Sequence, residues 1–294
     1  MPHYIPFLFL VIISLVLFTI VLWHKRDPIL IVLFLFMTGL AYVLEYIILI
    51  LLNSYRYNPN LMQNDYFDNI LGSVTSQAFA FPVMAVVIAA YQLRLSYIIV
   101  LSIMFMGIEE LFITWGVYTQ YWWKTYYTAT FMIIGYLIAK TWYVWLHERF
   151  NVFIHTATLY FSMISINATV MFIAVAGYKT HWLQMNLFAN SIRDHINLNT
   201  LYVCILTLIY VWIVLKRVSI IWIVAIVFLI RLFDFMLIKL GILSLASWNS
   251  LWSIVLLDGI ILLITFVLHR FIIKNCYGTN QAKEQAFQKC YKSD

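Results

Sequence analysis

Charge is what this chain has least of. Of its 294 residues only 10% are Asp, Glu, Lys or Arg, whereas 64% are AVILMFWYC and the mean hydropathy is +0.92. Soluble domains carry about 25% charged residues, so an ordinary soluble protein is excluded and the chain belongs in a bilayer. Cysteine is also scarce. Cys204, Cys276 and Cys290 are too few and too scattered for a disulfide framework, and no Cys-x-x-Cys or His-x-x-x-His spacing occurs, so neither a metal site nor a cofactor is expected. With 5 Pro and 9 Gly, no two spans show the matched Gly/Pro interruptions of broken-helix carriers. The net charge of +6 is spread between apolar runs, which excludes nucleic acid as the expected partner and makes it a topology signal for a lipid-bilayer protein.

What the chain does have is long apolar runs. About 20 residues at 1.5 Å each cross a ~30 Å hydrocarbon core, and nine candidates lie at 4–23, 29–52, 70–92, 97–117, 128–146, 152–177, 198–215, 218–242 and 251–273. The expected fold is all-α, a polytopic bundle of about nine transmembrane helices. Met1-Pro2-His3-Tyr4 carries no Lys or Arg and no small-residue cleavage site follows the first run, so that run reads as an uncleaved anchor with its N-terminus outside. The C-terminus then lies in the cytoplasm. This layout puts Lys25, Arg26, Arg94, Arg149, Lys216, Arg217, Arg270, Lys274, Lys283, Lys289 and Lys292 inside, against Arg56, Lys124, Lys179 and Arg193 outside. The positive-inside rule supports it, in a bacterial plasma membrane. On the outer side Trp115, Tyr118, Tyr121, Trp122, Trp123, Tyr126 and Tyr127 read as an interfacial aromatic belt.

The chain also repeats itself. Asn60, Leu61, Asn64, Asp68 and Ile70 recur as Asn186, Leu187, Asn190, Asp194 and Ile196; Glu109 falls opposite Asp234, Gly116 opposite Gly241, Trp123 opposite Trp248 and Gly135 opposite Gly259. A period of about 123 to 126 residues spans four helices, and an even number of crossings preserves orientation, so two parallel repeats are expected. The expected organisation is a first repeat at 1–145 (spans one to five), a second at 146–274 (spans six to nine, sharing span five) and a polar tail at 275–294. Each Asn/Asp segment precedes a helix, where such side chains accept from free backbone N–H groups; an outer ligand site built from Asn60, Asn64, Asp68, Asn186, Asn190 and Asp194 is the other reading.

Ionisable groups inside spans are expensive and mark function by default. Here they are Glu45, Glu109, Glu110, Lys140, Arg231, Asp234, Lys239 and Asp258. Counted at 1.5 Å per residue, Glu45, Glu109, Arg231, Asp234 and Asp258 fall in one layer in the outer half of a ~30 Å core, with Gln77 and Asn167 at similar depth and Lys140 lower. Compensating pairs are one explanation, Arg231 with Asp234 and Glu109 or Glu110 with Lys140. Five acids still exceed the two well-buried bases, so a protonated or water-reached acidic cavity is the other. Pro82 in span three frees a backbone carbonyl in the same region. Adjacent Glu109 and Glu110 sit about 100° apart on a helix, so only one faces the centre, and Glu109, as counterpart of Asp234, is the expected central acid.

The order Asp68-Asn69-Ile70, Phe81-Pro82, Ile108-Glu109-Glu110-Leu111-Phe112, Gly116-Val117-Tyr118 and Trp122-Trp123-Lys124 resembles an uncharacterised family of small multi-spanning membrane proteins from spore-forming Gram-positive bacteria. The resemblance covers residues 20 to 145, implies no established activity, and leaves the second unit as a diverged copy lacking counterparts of Glu110 and Pro82. Three functions stay open. The first is a carrier or channel that binds a cation, a proton or a small amine-bearing solute at Glu45, Glu109, Glu110, Arg231, Asp234 and Asp258, with Gln77, Lys140 and Asn167 in support. The second is a structural or receptor-type subunit, assembled with its own copies or with another membrane protein, whose charges only pair helices. The third is an intramembrane isoprenoid or lipid-modifying enzyme, since Glu109-Glu110-Leu111-Phe112 is similar to an element of bacterial membrane-bound lycopene cyclases. An enzyme is the less favoured class, and no catalytic residue is assigned.

Overall fold

Helix-forming apolar runs need donors and acceptors at their ends, and the polar segments supply them in the computed structural model, which describes residues 2–148, 151–246 and 248–276. Tail residues 277–294, with Cys290, and the Arg149 of the charge count lie outside the described residues. Among those described, nine helices are long and apolar enough to cross a membrane. The chain is an all-α, multi-pass membrane protein in contact with the lipid bilayer, and it divides into two compact units, Met1–Arg149 and Phe150–Asp294.

In the first unit, α1 (Tyr4–Lys25) is followed by α2 (Ile29–Glu45), which continues through a π-helical turn, Tyr46–Leu51. Strand β1 (Tyr55–Tyr57) leads to a single span made of α3 (Asp65–Thr75), a second π-helical turn (Ser76–Ala80) and α4 (Phe81–Ala90). Then come α5 (Leu95–Thr114), β2 (Tyr118–Gln120) and α6 (Thr125–Glu148). The second unit has α7 (Val152–Phe172) with a π-helical turn (Ile173–Gly177), β3 (His181–Leu183), α8 (Ser191–Leu215), α9 (Ile220–Lys239), β4 (Leu243–Leu245) and α10 (Trp248–Cys276). Cys276 is therefore the buried last residue of a helix.

Two details differ from expectation. Spans three and seven begin earlier than their apolar runs, at Asp65 and Ser191, because Asn64 and Asn190 cap them. Asn64 Oδ1 accepts from the N–H groups of Tyr66 and Phe67, and Asn190 Oδ1 from those of Ile192 and Arg193. One turn on, Asp68 accepts from the N–H groups of Asn60, Leu61 and Met62, and Asp194 from those of Met185, Asn186 and Leu187. The two sets differ by one donor because the residue that would match Met185 is Pro59, which has no N–H. Asn60 (φ 56°) and Asn186 (φ 58°) take the left-handed conformation that Asn tolerates.

The second difference is a little β-structure. Tyr55–Tyr57 pairs antiparallel with Tyr118–Gln120, and His181–Leu183 with Leu243–Leu245. Alternation puts Tyr55, Tyr57, Tyr118 and Gln120 on one face of the first ribbon and Arg56 on the other, where it pairs with exposed Asp65 at 3.1 Å. Tyr118 (4% exposed) and Trp123 (5%) belong to a buried cluster with Phe7, Leu49, Tyr55, Phe112 and Val117. The expected aromatic belt therefore splits. Trp115, Tyr121, Trp122 and Tyr126 are exposed, whereas Tyr118 and Trp123 are core.

Candidate functional site

Glu45 is the last α-helical residue of α2, and the π-helical turn starts at the next position. Its carboxylate is 7% exposed and is held by three donors from elsewhere in the first unit. The Tyr55 hydroxyl donates to Oε2 at 2.6 Å, the Ser73 hydroxyl to Oε1 at 2.7 Å, and Gln77 Nε2 to Oε2 at 3.0 Å. Ser73 and Gln77 are four apart on one helix face, which lets both reach one acceptor. Gln77 lies inside the π-helical turn that precedes Pro82. Proline cannot supply its N–H, and a π-turn rearranges the helix's hydrogen bonds just ahead of it.

Glycine lets the ribbon and helices close on this point. A Cβ on Gly72 would collide with the Cβ of Tyr57, and one on Gly135 would come within 2.6 Å of the Phe81 ring. Tyr57 and Phe81 consequently pack close against these helices, and both line a cavity of ≈ 150 Å³ inside the first unit. Glu45, Glu109, Gln77, Ser76 and Thr128 are its polar lining; Tyr55, Tyr118, Trp123, Phe105, Phe112 and Phe131 supply aromatic walls.

Glu109, on α5, reaches the same cavity from the opposite side of the sequence. Gln120 Nε2 donates to its Oε1 at 2.7 Å. Its Oε2 is buried without a hydrogen bond of good geometry, and the hydroxyls of Thr128 and Tyr118 lie beside the carboxylate. Gln120 Nε2 also donates to Thr125 Oγ1 at 3.0 Å, and Thr125 donates to exposed Glu110 at 2.6 Å. The two adjacent acids thus part as helix geometry requires. One lines the cavity and the other lies at the surface, joined through Gln120 and Thr125.

No basic side chain among the described residues comes within ion-pairing distance of Glu45 or Glu109. Lys140 does not serve, since its Nζ donates to the carbonyl of Leu93 at 3.0 Å. The ribbon tyrosines are neutral donors here. Burial, reinforced by Glu45 and neighbouring tyrosines, pushes the hydroxyl of Tyr55 far up, and burial with Glu45 and Glu109 does the same to Tyr57. Tyr118 is raised by burial, by Tyr57 and by both acids.

The remaining acids gather in the second unit around a base. Arg231 Nη1 lies 2.8 Å from Asp234 Oδ2, and Nη2 lies 2.7 Å from Asp258 Oδ2. The Tyr202 hydroxyl donates to Asp234 Oδ1 and that of Tyr210 to Asp258 Oδ1, both at 2.7 Å. This cluster ties α9 to α8 and α10, and Ile230 is the one other buried residue of α9. The Arg231–Asp234 pair expected from the spacing is present, with Asp258 added to it. Asn167 stands apart, donating to Thr207 Oγ1 at 2.9 Å. Asn64, Asp68, Asn190 and Asp194 bind backbone, as set out above, whereas the Asn60 amide lies 2.9 Å from His3 Nδ1 and Asn186 Oδ1 accepts from Gln184 Nε2 at 2.8 Å.

Several site residues carried no warning in the sequence. Tyr55, Tyr57 and Gln120 sit in segments that read as loops, and Ser73, Tyr202 and Tyr210 read as ordinary span residues. The Tyr55-Arg56-Tyr57 alternation has the period of a strand but is too short to mark one. No family model, curated protein or solved structure matches the chain.

Proposed function

We propose that this multi-pass membrane protein binds a small organic cation in the cavity of its first unit, and that carrying such a solute across the bilayer is its activity. One observation carries the reading: Glu45 and Glu109 line one ≈ 150 Å³ cavity with no base in reach among the described residues. A buried carboxylate without a base needs either a proton or a cation, and removal of its charge partner is costly in low dielectric. The aromatic walls favour the organic cation, because ring faces attract positive charge. The cavity is also of the size that holds one benzene-sized molecule. The π-helical turns beside Glu45 and at Gln77 fit this reading, since such turns recur at functional sites.

A second reading applies to the second unit. Its acids are answered by Arg231 within the protein, and helix pairing is the role that fits them. The enzyme reading gains no support from Glu109 and Glu110, which do not share a site. The charge distribution favours a plasma-membrane protein with its N-terminus outside, and the recurrent caps, ribbons and glycine turns favour two diverged parallel copies of one unit.

The test is calorimetric titration of the purified protein with methylammonium and methylguanidinium, followed by uptake into proteoliposomes. Saturable binding of either cation that Glu109→Gln removes supports the reading. Absence of binding by both overturns it.

A further inference from the structure

The two units answer the same acid differently. Helices α5 and α9 are both 20 residues long. Each starts after an extended residue, Arg94 (ψ 158°) or Ser219 (ψ 154°), and each is followed by a left-handed glycine, Gly116 (φ 71°) or Gly241 (φ 72°). Counted back from that glycine, Glu109 and Asp234 hold the same place. One helical turn earlier the second unit has Arg231 and the first has Met106. Residues three apart share a helix face.

Arg231 shows what satisfies the acid in this scaffold. Its planar fork bridges carboxylates on two helices, with Nη1 on Asp234 and Nη2 on Asp258, and Nη2 lies 3.4 Å from the Tyr202 hydroxyl. The first unit likewise presents two carboxylates from two helices, Glu45 on α2 and Glu109 on α5, with tyrosine hydroxyls beside both. It presents them to a cavity whose lining, among the described residues, includes no guanidinium. The second acid has a different origin in each unit, so the shared element is the arrangement of an acid at the glycine-anchored position, a second carboxylate from a neighbouring helix, and tyrosine.

We infer that the first unit's ligand is a small guanidinium-type cation, and that Arg231 is the built-in counterpart of that ligand in the second unit. This rests on the cation-binding reading above and names its ligand class. A guanidinium offers donors in a rigid fork to two carboxylates, which a compact ammonium does not. Its flat face also stacks on aromatic rings such as those lining the cavity.

Titration of the wild-type protein with methylguanidinium and methylammonium separates the two claims. Methylguanidinium is expected to bind about tenfold more tightly, the advantage of a bidentate over a point contact. Methylammonium binding as tightly or more so overturns the guanidinium assignment and leaves cation binding standing; binding by neither overturns both. Met106→Arg places a guanidinium one turn before Glu109, as Arg231 stands before Asp234, and is expected to abolish methylguanidinium binding while unfolding at the wild-type temperature. Undiminished binding in that variant contradicts the inference. In the second unit, Arg231→Ala is expected to unfold at lower temperature in detergent and to regain part of the loss in millimolar methylguanidinium but not in methylammonium. Equal recovery in both cations contradicts the assignment.

Discussion

The Tyr55 hydroxyl donates to Glu45 Oε2 at 2.6 Å, joining the first residue of a strand to the last α-helical residue of the span before it. The six-residue π-helical turn Tyr46–Leu51 lies between them. That turn is closed by Ser54, whose N–H and hydroxyl both donate to the carbonyl of Ile48. A widened helix end thus returns the chain over the acid it has just passed, and places an aromatic donor there.

Tyr55→Phe removes this donor and leaves the acid with two. A hydrogen bond to a buried carboxylate contributes about 1.5–3 kcal/mol, so a fall in stability of that order is expected. Thermal unfolding in detergent measures it. An unchanged unfolding temperature would show that the contact contributes nothing.

Glu45→Gln and Glu109→Gln are expected to behave differently. Three donors converge on Glu45, and a Gln amide must turn its own donor toward at least one of them, so stability drops along with cation binding. Glu109 accepts one clear hydrogen bond through Oε1, and its amide variant is expected to fold normally and lose binding. Unfolding curves beside calorimetric titrations distinguish the two.

Asp68→Ala strips three backbone N–H groups of their acceptor at once, and Asp194→Ala does the same in the second unit. Each unsatisfied group costs about 1–3 kcal/mol unless water replaces the partner. Asn64→Ala and Asn190→Ala remove a helix cap and are expected to cost about 1 kcal/mol each. Unfolding of the four variants gives the ranking, with the Asp variants the weaker proteins.

At the far end of the first unit, Asp27 accepts from the Tyr143 hydroxyl at 2.7 Å, from the Ile29 N–H at 2.9 Å, and lies 3.1 Å from His147 Nε2. Burial acts to raise its carboxyl, but these hydrogen bonds together outweigh it and hold the group below the usual carboxylate value. A carboxyl lowered on folding adds stability above its unfolded value and loses it as pH falls through the folded one. Asp27→Asn should therefore destabilise the protein at neutral pH, with the difference from wild type shrinking as pH falls through the lowered value of the folded carboxyl. Unfolding measured across that pH range tests the sign.

Much of this architecture is legible in the sequence. The nine spans follow from apolar runs long enough for the bilayer, and Asp68 and Asp194 stand out because polar identities rarely recur by chance in hydrophobic chains. The site was half legible. Glu45, Gln77 and Glu109 announce themselves as polar groups at one depth, yet depth alone does not separate them from Asp234 and Asp258, whose charge is answered by Arg231. Lys140 illustrates the same limit: its place inside the span that follows Glu109 and Glu110 does not say that its amine turns to the Leu93 carbonyl. The ribbon was hidden because a three-residue strand is too short for periodicity to mark it. Tyr118 and Trp123 were concealed among the other aromatics of one loop, where composition does not tell a wall of a cavity from a membrane belt.

The proposed cation binding turns on Glu109, which lines the cavity. Isothermal titration of methylguanidinium into wild-type protein and into Glu109→Gln, both shown to unfold at the same temperature, tests it most directly. Saturable one-to-one binding in the wild type, and none in the variant, is the predicted result. Equal heats in the two proteins, or no saturable binding in either, would contradict it.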